Sequence, residues 1–195
     1  MTDHKEFYLE KMKRIRKEIR ESLATRAAQN LQKYYSLLRS TGAEGIEDLI
    51  KAIDESTFKT EGSHNHHKYI AGTLEHSLGV YKRMSRKASV WRKLGFKYKE
   101  SDIILVALLH DISNGSHPDW KGSGHGGRSR KIVEKYLPNV SQDVLEAIEG
   151  HMHASISGLT NPLWRLIITS DMPDSGTCDI GYAKISDNET VSLKA

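Results

Sequence analysis

The run Ile103-Ile104-Leu105-Val106-Ala107-Leu108-Leu109 ends in His110-Asp111, and this junction constrains the fold more than any other stretch of the chain. Seven consecutive apolar residues read as a buried helix. A buried helix that delivers an imidazole and a carboxylate into its own last turn needs a reason. Ionised Asp is rarely set beside so much apolar surface unless something positive neutralises it. A metal ion is the simplest neutraliser, since it takes neutral imidazole and carboxylate together. The competing explanation is an Asp that stops the helix, with a His hydrogen-bonded nearby.

The distribution of histidine bears on that choice. Of ten histidines, only His4 lies outside the central region; His64, His66, His67, His76, His110, His117, His125, His151 and His153 bunch within it. Scattered surface histidines would not cluster in this way. At 195 residues the chain suits one domain with an appended element and is long enough to bury a sizeable core. Four prolines and few Val/Ile/Thr alternations point away from an all-β fold. No window approaches 18 uninterrupted apolar residues, so no membrane span and no membrane partner are expected. The N-terminus is charged from its third residue and has no apolar signal-peptide core. The single Cys178 excludes an internal disulfide framework and suits a reducing compartment, which predicts a cytoplasmic protein.

Along the chain the pattern is helical. From about Asp3 to Arg39, Phe7, Met12, Ile15, Ile19, Leu23, Ala27, Leu31, Tyr34 and Leu38 recur every three or four residues. That predicts one long amphipathic helix, or two with a break near Thr25, stopped by Ser40-Thr41-Gly42. Its basic face carries Lys11, Lys13, Arg14, Arg16, Lys17 and Arg20, interleaved with glutamates that offer i,i+4 pairing. Packing on the domain or on a second copy of the chain is favoured over a phosphate-backbone surface. A short helix follows over Glu44–Glu55, then a polar loop through His64, His66 and His67. Thr73 is placed to cap the next helix, on which His76 falls among inward positions. After Asp111 comes a loop rich in Gly, Ser, Asn and Pro. Gly124-His125-Gly126-Gly127 opens a further helix, which sets His125 beside free backbone N–H groups that favour anions. Ser141 caps a helix ending at Gly150-His151-Met152-His153; His151 and His153 would point to different sides, so at most one is expected in a shared site. Asn161-Pro162 starts a last core helix that runs into Asp171. The stretch Ile180–Ile185 reads as a short strand or an extended tail.

A His on one helix (His76), His-Asp on the next (His110, Asp111) and a later Asp (Asp171) resemble the HD superfamily of metal-dependent phosphohydrolases. The wording His66-His67-Lys68-Tyr69, then Gly72-Thr73-Leu74-Glu75-His76-Ser77-Leu78, is similar to HD proteins related to the 3′–5′ exoribonucleases of the YhaM type. It is also similar to small HD proteins of bacteria and their phages. The similarity covers roughly residues 63–174.

The resemblance implies an all-α HD-domain helical bundle, with an N-terminal helical extension over 1–55, an HD core over 56–175 and a C-terminal tail over 176–195. It implies that His76, His110, Asp111 and Asp171 bind one ion, and that His125 and His151 stand where ligands of a second ion occur, bridged by the Asp. His110 and Asp111 are then the catalytic pair. Mixed imidazole and carboxylate suits Mn, Fe, Co, Ni or Zn, as one or two ions. The implied chemistry is attack of metal-activated water on phosphorus, in line. His67, Lys68, Lys121 and Arg128 are candidates by position to hold the non-reacting phosphates. Many HD hydrolases place a lysine shortly after His-Asp, whereas this chain reads Ile112-Ser113-Asn114-Gly115. The expected substrate is a nucleotide, with a short oligonucleotide as the alternative and a non-catalytic nucleotide-binding module as the rival. A homo-oligomer through the N-terminal helix is compatible with each.

Overall fold

The computed structural model describes residues 2–62, 67, 69–121, 124–152 and 160–177, with side chains from residue 9 to residue 171. The regular elements are α1 (Thr2–Ser40), α2 (Ile46–Glu55), α3 (Gly72–Arg92), α4 (Glu100–Leu109), a 3₁₀ turn at Ile112–Asn114, α5 (His125–Tyr136), α6 (Gln142–Gly150) and α7 (Pro162–Thr177). No strand occurs among the described residues, and the expected all-α fold is met. No helix of the described residues is long and apolar enough to cross a membrane.

The apolar run decides the architecture. Every residue from Ile103 to Leu109 is buried, so α4 has no face for solvent. It sits centrally and is packed by α1, α3, α6 and α7. Its last turn is thereby held deep in the molecule, together with whatever polar groups follow.

α1 is one unbroken helix: the Thr25 hydroxyl donates to the Glu21 carbonyl four residues back and the ladder continues. Thr41 and Gly42 end it as expected, Gly42 at φ 64°. Its second half is anchored by Tyr34 and Leu38, both fully buried, and the Tyr34 hydroxyl donates to the Leu108 carbonyl at 2.6 Å. Its first half is different. Leu9, Met12 and Ile19 are 54 %, 48 % and 37 % exposed, so the apolar stripe runs on past the core that covers its other end.

Two expectations about helix ends are corrected. Thr73 does not cap α3. The chain turns tightly through His67 and Ala71, at φ 52° and 63°, and the helix begins already at Gly72. A Cβ on Gly72 would lie 1.8 Å from the His67 carbonyl oxygen, so the turn admits only glycine there. Thr73 is left inside the first turn with its hydroxyl buried and unpartnered among the described residues. Nor does α7 end at Asp171: it continues to Thr177, through Pro173. Proline has no N–H to give the Thr169 carbonyl. Lys87 of α3 donates its Nζ to that carbonyl instead, and Arg83 Nε donates to the Ser170 carbonyl at 3.0 Å. α3 thus clamps α7 at the turn that carries Asp171.

The remaining ends follow the sequence signals. Ser141 Oγ accepts from the Val144 amide, and Asn161 Oδ1 accepts from the Leu163 and Trp164 amides. The stretch Ile180–Ile185 lies outside the described residues, as does Cys178.

Candidate metal centre

Three helix ends and two helix interiors converge on one point. His110 and Asp111 follow directly on α4, His125 is the first residue of α5, and His151 follows directly on α6; His76 and Asp171 come from within α3 and α7. The end of α6 and the start of α5 can meet because Gly126 has no side chain. A Cβ there would lie 2.2 Å from the Glu149 carbonyl oxygen. This contact brings the His125 and His151 rings to 5.1 Å between centroids.

Asp111 is the hub. Its Oδ1 hydrogen-bonds His125 Nε2 and stands 3.4 Å from His151 Nε2 and 3.7 Å from His110 Nε2. Its Oδ2 faces the other way, 3.8 Å from His76 Nε2, and accepts from Asn114 Nδ2 at 3.1 Å. His76 Nε2 lies 3.0 Å from Asp171 Oδ1 and 3.2 Å from His110 Nε2. Two overlapping donor sets with the spacing of a metal site result, His76/His110/Asp171 and His110/Asp111/His151. The two oxygens of Asp111 point to different sets, the disposition a bridging carboxylate requires.

The protons of this cluster are directed outward. His110 Nδ1 donates to the Ala107 carbonyl at 2.9 Å, and His151 Nδ1 donates to the Ile148 carbonyl at 2.6 Å. A carbonyl only accepts, so each ring carries its proton on Nδ1 and turns the Nε2 lone pair into the cluster. Backbone carbonyls commonly fix metal-ligating histidines in this way. His151 Nε2 is buried with no hydrogen-bond partner. Buried acceptors that outnumber the available protons call for a cation, and the donor chemistry fits a divalent transition metal.

The electrostatics of Asp111, Asp171 and His110 match the ligand states such an ion needs. Burial alone would raise the Asp111 carboxyl. The His110 charge and the hydrogen bond from His125 outweigh it and hold Asp111 well below the usual carboxylate range. Asp171 is lowered too, burial being outweighed by the hydrogen bond from His76 and the charge of His110. Burial pushes His110 down to about 4, so its ring is neutral at pH 7. His151 is raised: burial acts downward, but the Asp111 charge and the hydrogen bond to the Ile148 carbonyl prevail.

The other predicted site residues fall around this cluster. His67 is buried beside it, its ring 5.8 Å from that of His76 and its Nδ1 sharing a 2.6 Å hydrogen bond with the Tyr69 hydroxyl. Lys121 and Arg128 line a groove of about 570 Å³ that also takes in Asn114, His117 and Trp120. Lys68 and His153 lie outside the described residues. Sequence reasoning gave Asn114 no role and placed Tyr34 only on the apolar stripe of α1, without its hydrogen bond. Asn114 carried a signal, since it follows Asp111 by three residues, one 3₁₀ turn. Tyr34 carried none, because its partner lies 74 positions away.

A family model described as HD domain matches residues 73–172, just over half of the chain. No curated protein and no solved structure matches. His76, His110, Asp111, His125, His151 and Asp171, the six residues that converge, all lie within the matched segment. The chain belongs to the HD superfamily, a class of metal-dependent phosphohydrolases.

Proposed function

We propose that this protein hydrolyses a phosphate ester of a nucleotide at the centre built around Asp111. One observation carries the reading: His110 and His151 are each fixed by a backbone carbonyl so that bare Nε2 atoms face Asp111. His76, His110 and Asp171, with Asp111, would hold one divalent transition metal; Asp111 and His151, with His125, would hold a second. A bound ion supplies the Lewis acidity that activates water near neutral pH and offsets charge on the phosphoryl group.

The chain's own residues do the rest. Asn114 Nδ2 fixes the rotation of the Asp111 carboxylate about its last bond. The buried end of α4 excludes bulk water from one side of the cluster, which strengthens every charge interaction within it. His67, next to His76, is placed to touch a bound substrate. The groove lined by Lys121 and Arg128 has the volume of a small-molecule site and suits a mononucleotide.

The test is phosphate release from a panel of nucleotides after loading with Mn²⁺, Co²⁺, Ni²⁺ or Zn²⁺, alongside Asp111→Asn. Turnover that depends on metal and disappears in the variant supports the reading. A second reading, cleavage at the 3′ end of short RNA or DNA as in YhaM-type enzymes, is favoured by exposed Lys11, Arg16 and Arg20 on α1. None of these three is ion-paired among the described residues. Release of mononucleotides from a short RNA would select it.

A further inference from the structure

We infer that the tip of the α3–α4 hairpin is a docking surface for an anionic lipid bilayer, separate from the centre around Asp111.

Charge is distributed very unevenly along the chain. Residues 82–99 hold eight Lys and Arg and no Asp or Glu, whereas the whole chain carries +4, so the remainder is net acidic. Part of this positive charge is engaged within the fold. Arg83 and Lys87 donate to carbonyls of α7, and Arg92 pairs with Glu100. Lys82, Arg86, Lys93, Lys97 and Lys99 are exposed and make no ion pair among the described residues. Helical spacing sets Lys82, Arg86, Ser89 and Lys93 along one stripe, opposite the buried Met84 and Ala88. The basic face of α1 differs, since Lys13, Arg14 and Lys17 pair there with Glu10, Glu18 and Glu21.

The same tip exposes apolar side chains. Leu94 is 72 % exposed, Val90 58 % and Phe96 39 %. Gly95, at φ 93°, turns the chain, and the Phe96 amide donates to the Trp91 carbonyl at 3.2 Å. Trp91, Phe96 and Tyr98 pack ring against ring, with centroids 5.8 to 6.4 Å apart. In Lys93-Leu94-Gly95-Phe96-Lys97 a lysine flanks the apolar pair on either side.

Exposed apolar side chains among unpaired cations match the two layers of a bilayer interface. Headgroup phosphates and carboxylates attract the lysines, while Leu94, Val90 and Phe96 reach the acyl boundary. Single-stranded nucleic acid is the rival anion, but its bases stack on open aromatic faces. Here the rings are turned to one another, the Phe96 and Tyr98 planes 20° apart, and the most exposed side chains are aliphatic. The expectation of no membrane partner rests on the lack of an apolar span, which a surface contact does not need. Lys99 and His110 flank α4 at its two ends, about 16 Å apart at 1.5 Å per residue. A bilayer on the tip therefore lies away from the metal centre.

The experiment is co-sedimentation of the intact protein with vesicles of equimolar phosphatidylserine and phosphatidylcholine, and with vesicles of phosphatidylcholine alone. Binding of a labelled uridine oligonucleotide is measured beside it by fluorescence anisotropy. Two variants are compared with wild type, Leu94→Asp and Lys93→Glu/Lys97→Glu. All three positions are exposed, so melting temperature and metal content should stay at the wild-type values. The expected result is binding to the phosphatidylserine vesicles only, weakened about tenfold or more in each variant and by added salt. No sedimentation of wild type with these vesicles overturns the inference, as does equal binding to both kinds of vesicle. Wild-type affinity in Leu94→Asp would mean diffuse charge attraction without apolar contact, and wild-type affinity in the lysine variant would remove the charge; either overturns it. Binding of the oligonucleotide in place of the vesicles assigns the surface to nucleic acid and overturns it too.

Discussion

His76 Nε2 and His110 Nε2 lie 3.2 Å apart, although their helices are separated by 34 residues of chain. The proton of His110 is committed to the Ala107 carbonyl, so its lone pair faces the neighbouring ring. His76 Nε2–H can donate to it, and a cation that both rings ligate would take that proton's place. His110→Ala removes a donor common to both donor sets. It should lower metal affinity more than about 100-fold, beyond the 10–100-fold typical of outer-shell partners, and abolish turnover. Metal content of the purified variant checks this; full occupancy would mean that His110 is only a packed core residue.

Asn114 offers a finer probe. Asn114→Ala removes the hydrogen bond to Asp111 Oδ2 and leaves every metal-donor atom in place. Activity should fall about 10–100-fold, as for other groups that orient a metal-ligating carboxylate, with metal content nearly kept. An unchanged kcat would show that Asp111 holds its rotamer unaided.

Gly126→Ala tests the contact that brings α5 to α6. The new Cβ would overlap the Glu149 carbonyl, and overpacking of this kind costs about 1–3 kcal/mol. For a chain of this size the melting temperature should drop by several degrees, about 2–4 °C per kcal/mol. Because the strain acts between His125 and His151, metal affinity should fall as well. A lower melting temperature with unchanged metal affinity would separate the fold from the site.

The pH dependence of the metal-free protein has a defined sign. His110 and His67 are each pushed down to about 4, in both cases chiefly by burial. The unfolded chain takes up protons at these positions from about 6.5 downward, whereas the folded one does not. Stability is therefore lost as pH falls from about 6.5 to about 4. His151, raised, works in the opposite direction and offsets part of the loss. Asp111 and Asp171, both lowered, add stability that is complete above about pH 4 and is lost only below it. Bound metal should steepen the fall, since its ligands must be neutral His and ionised Asp. Melting curves from pH 7 to pH 4 check this; a flat profile would contradict the neutral, buried state of His110.

We propose that the stripe Leu9, Met12, Ile15 and Ile19 on the first half of α1 docks on a second copy of the chain. Most helical stability in proteins comes from packing an amphipathic face, and three of these four apolar side chains are exposed. In an antiparallel pairing centred between Met12 and Ile15, Lys11 of each copy would face Glu18 of the other. Light scattering should give twice the 22.0 kDa chain mass, and Ile15→Glu/Ile19→Glu should give the single mass. A monomeric wild type at tens of micromolar would reject self-association.

Much of this centre could be read from the residues because its chemistry and its burial are both local signals. Seven apolar residues before His110-Asp111 announce a buried helix, and α4 is one. His76, His125, His151 and Asp171, implied by the resemblance to HD proteins, are brought together with that pair. The features that escaped depend on distant partners. Thr73 looks like a cap, but the turn through His67 and Ala71 starts α3 earlier. The last helix reads as running into Asp171, but it continues through Pro173, where Lys87 and Arg83 satisfy the neighbouring carbonyls. The Tyr34–Leu108 bond and the role of Asn114 required coordinates.

The most direct test of the central claim is elemental analysis of protein purified without chelator or His tag, with phosphate release from nucleotides measured on the same sample. The two donor sets predict one to two transition-metal ions per chain and turnover lost in Asp111→Asn. A protein that binds no metal and releases no phosphate after addition of Mn²⁺ or Ni²⁺ would contradict it.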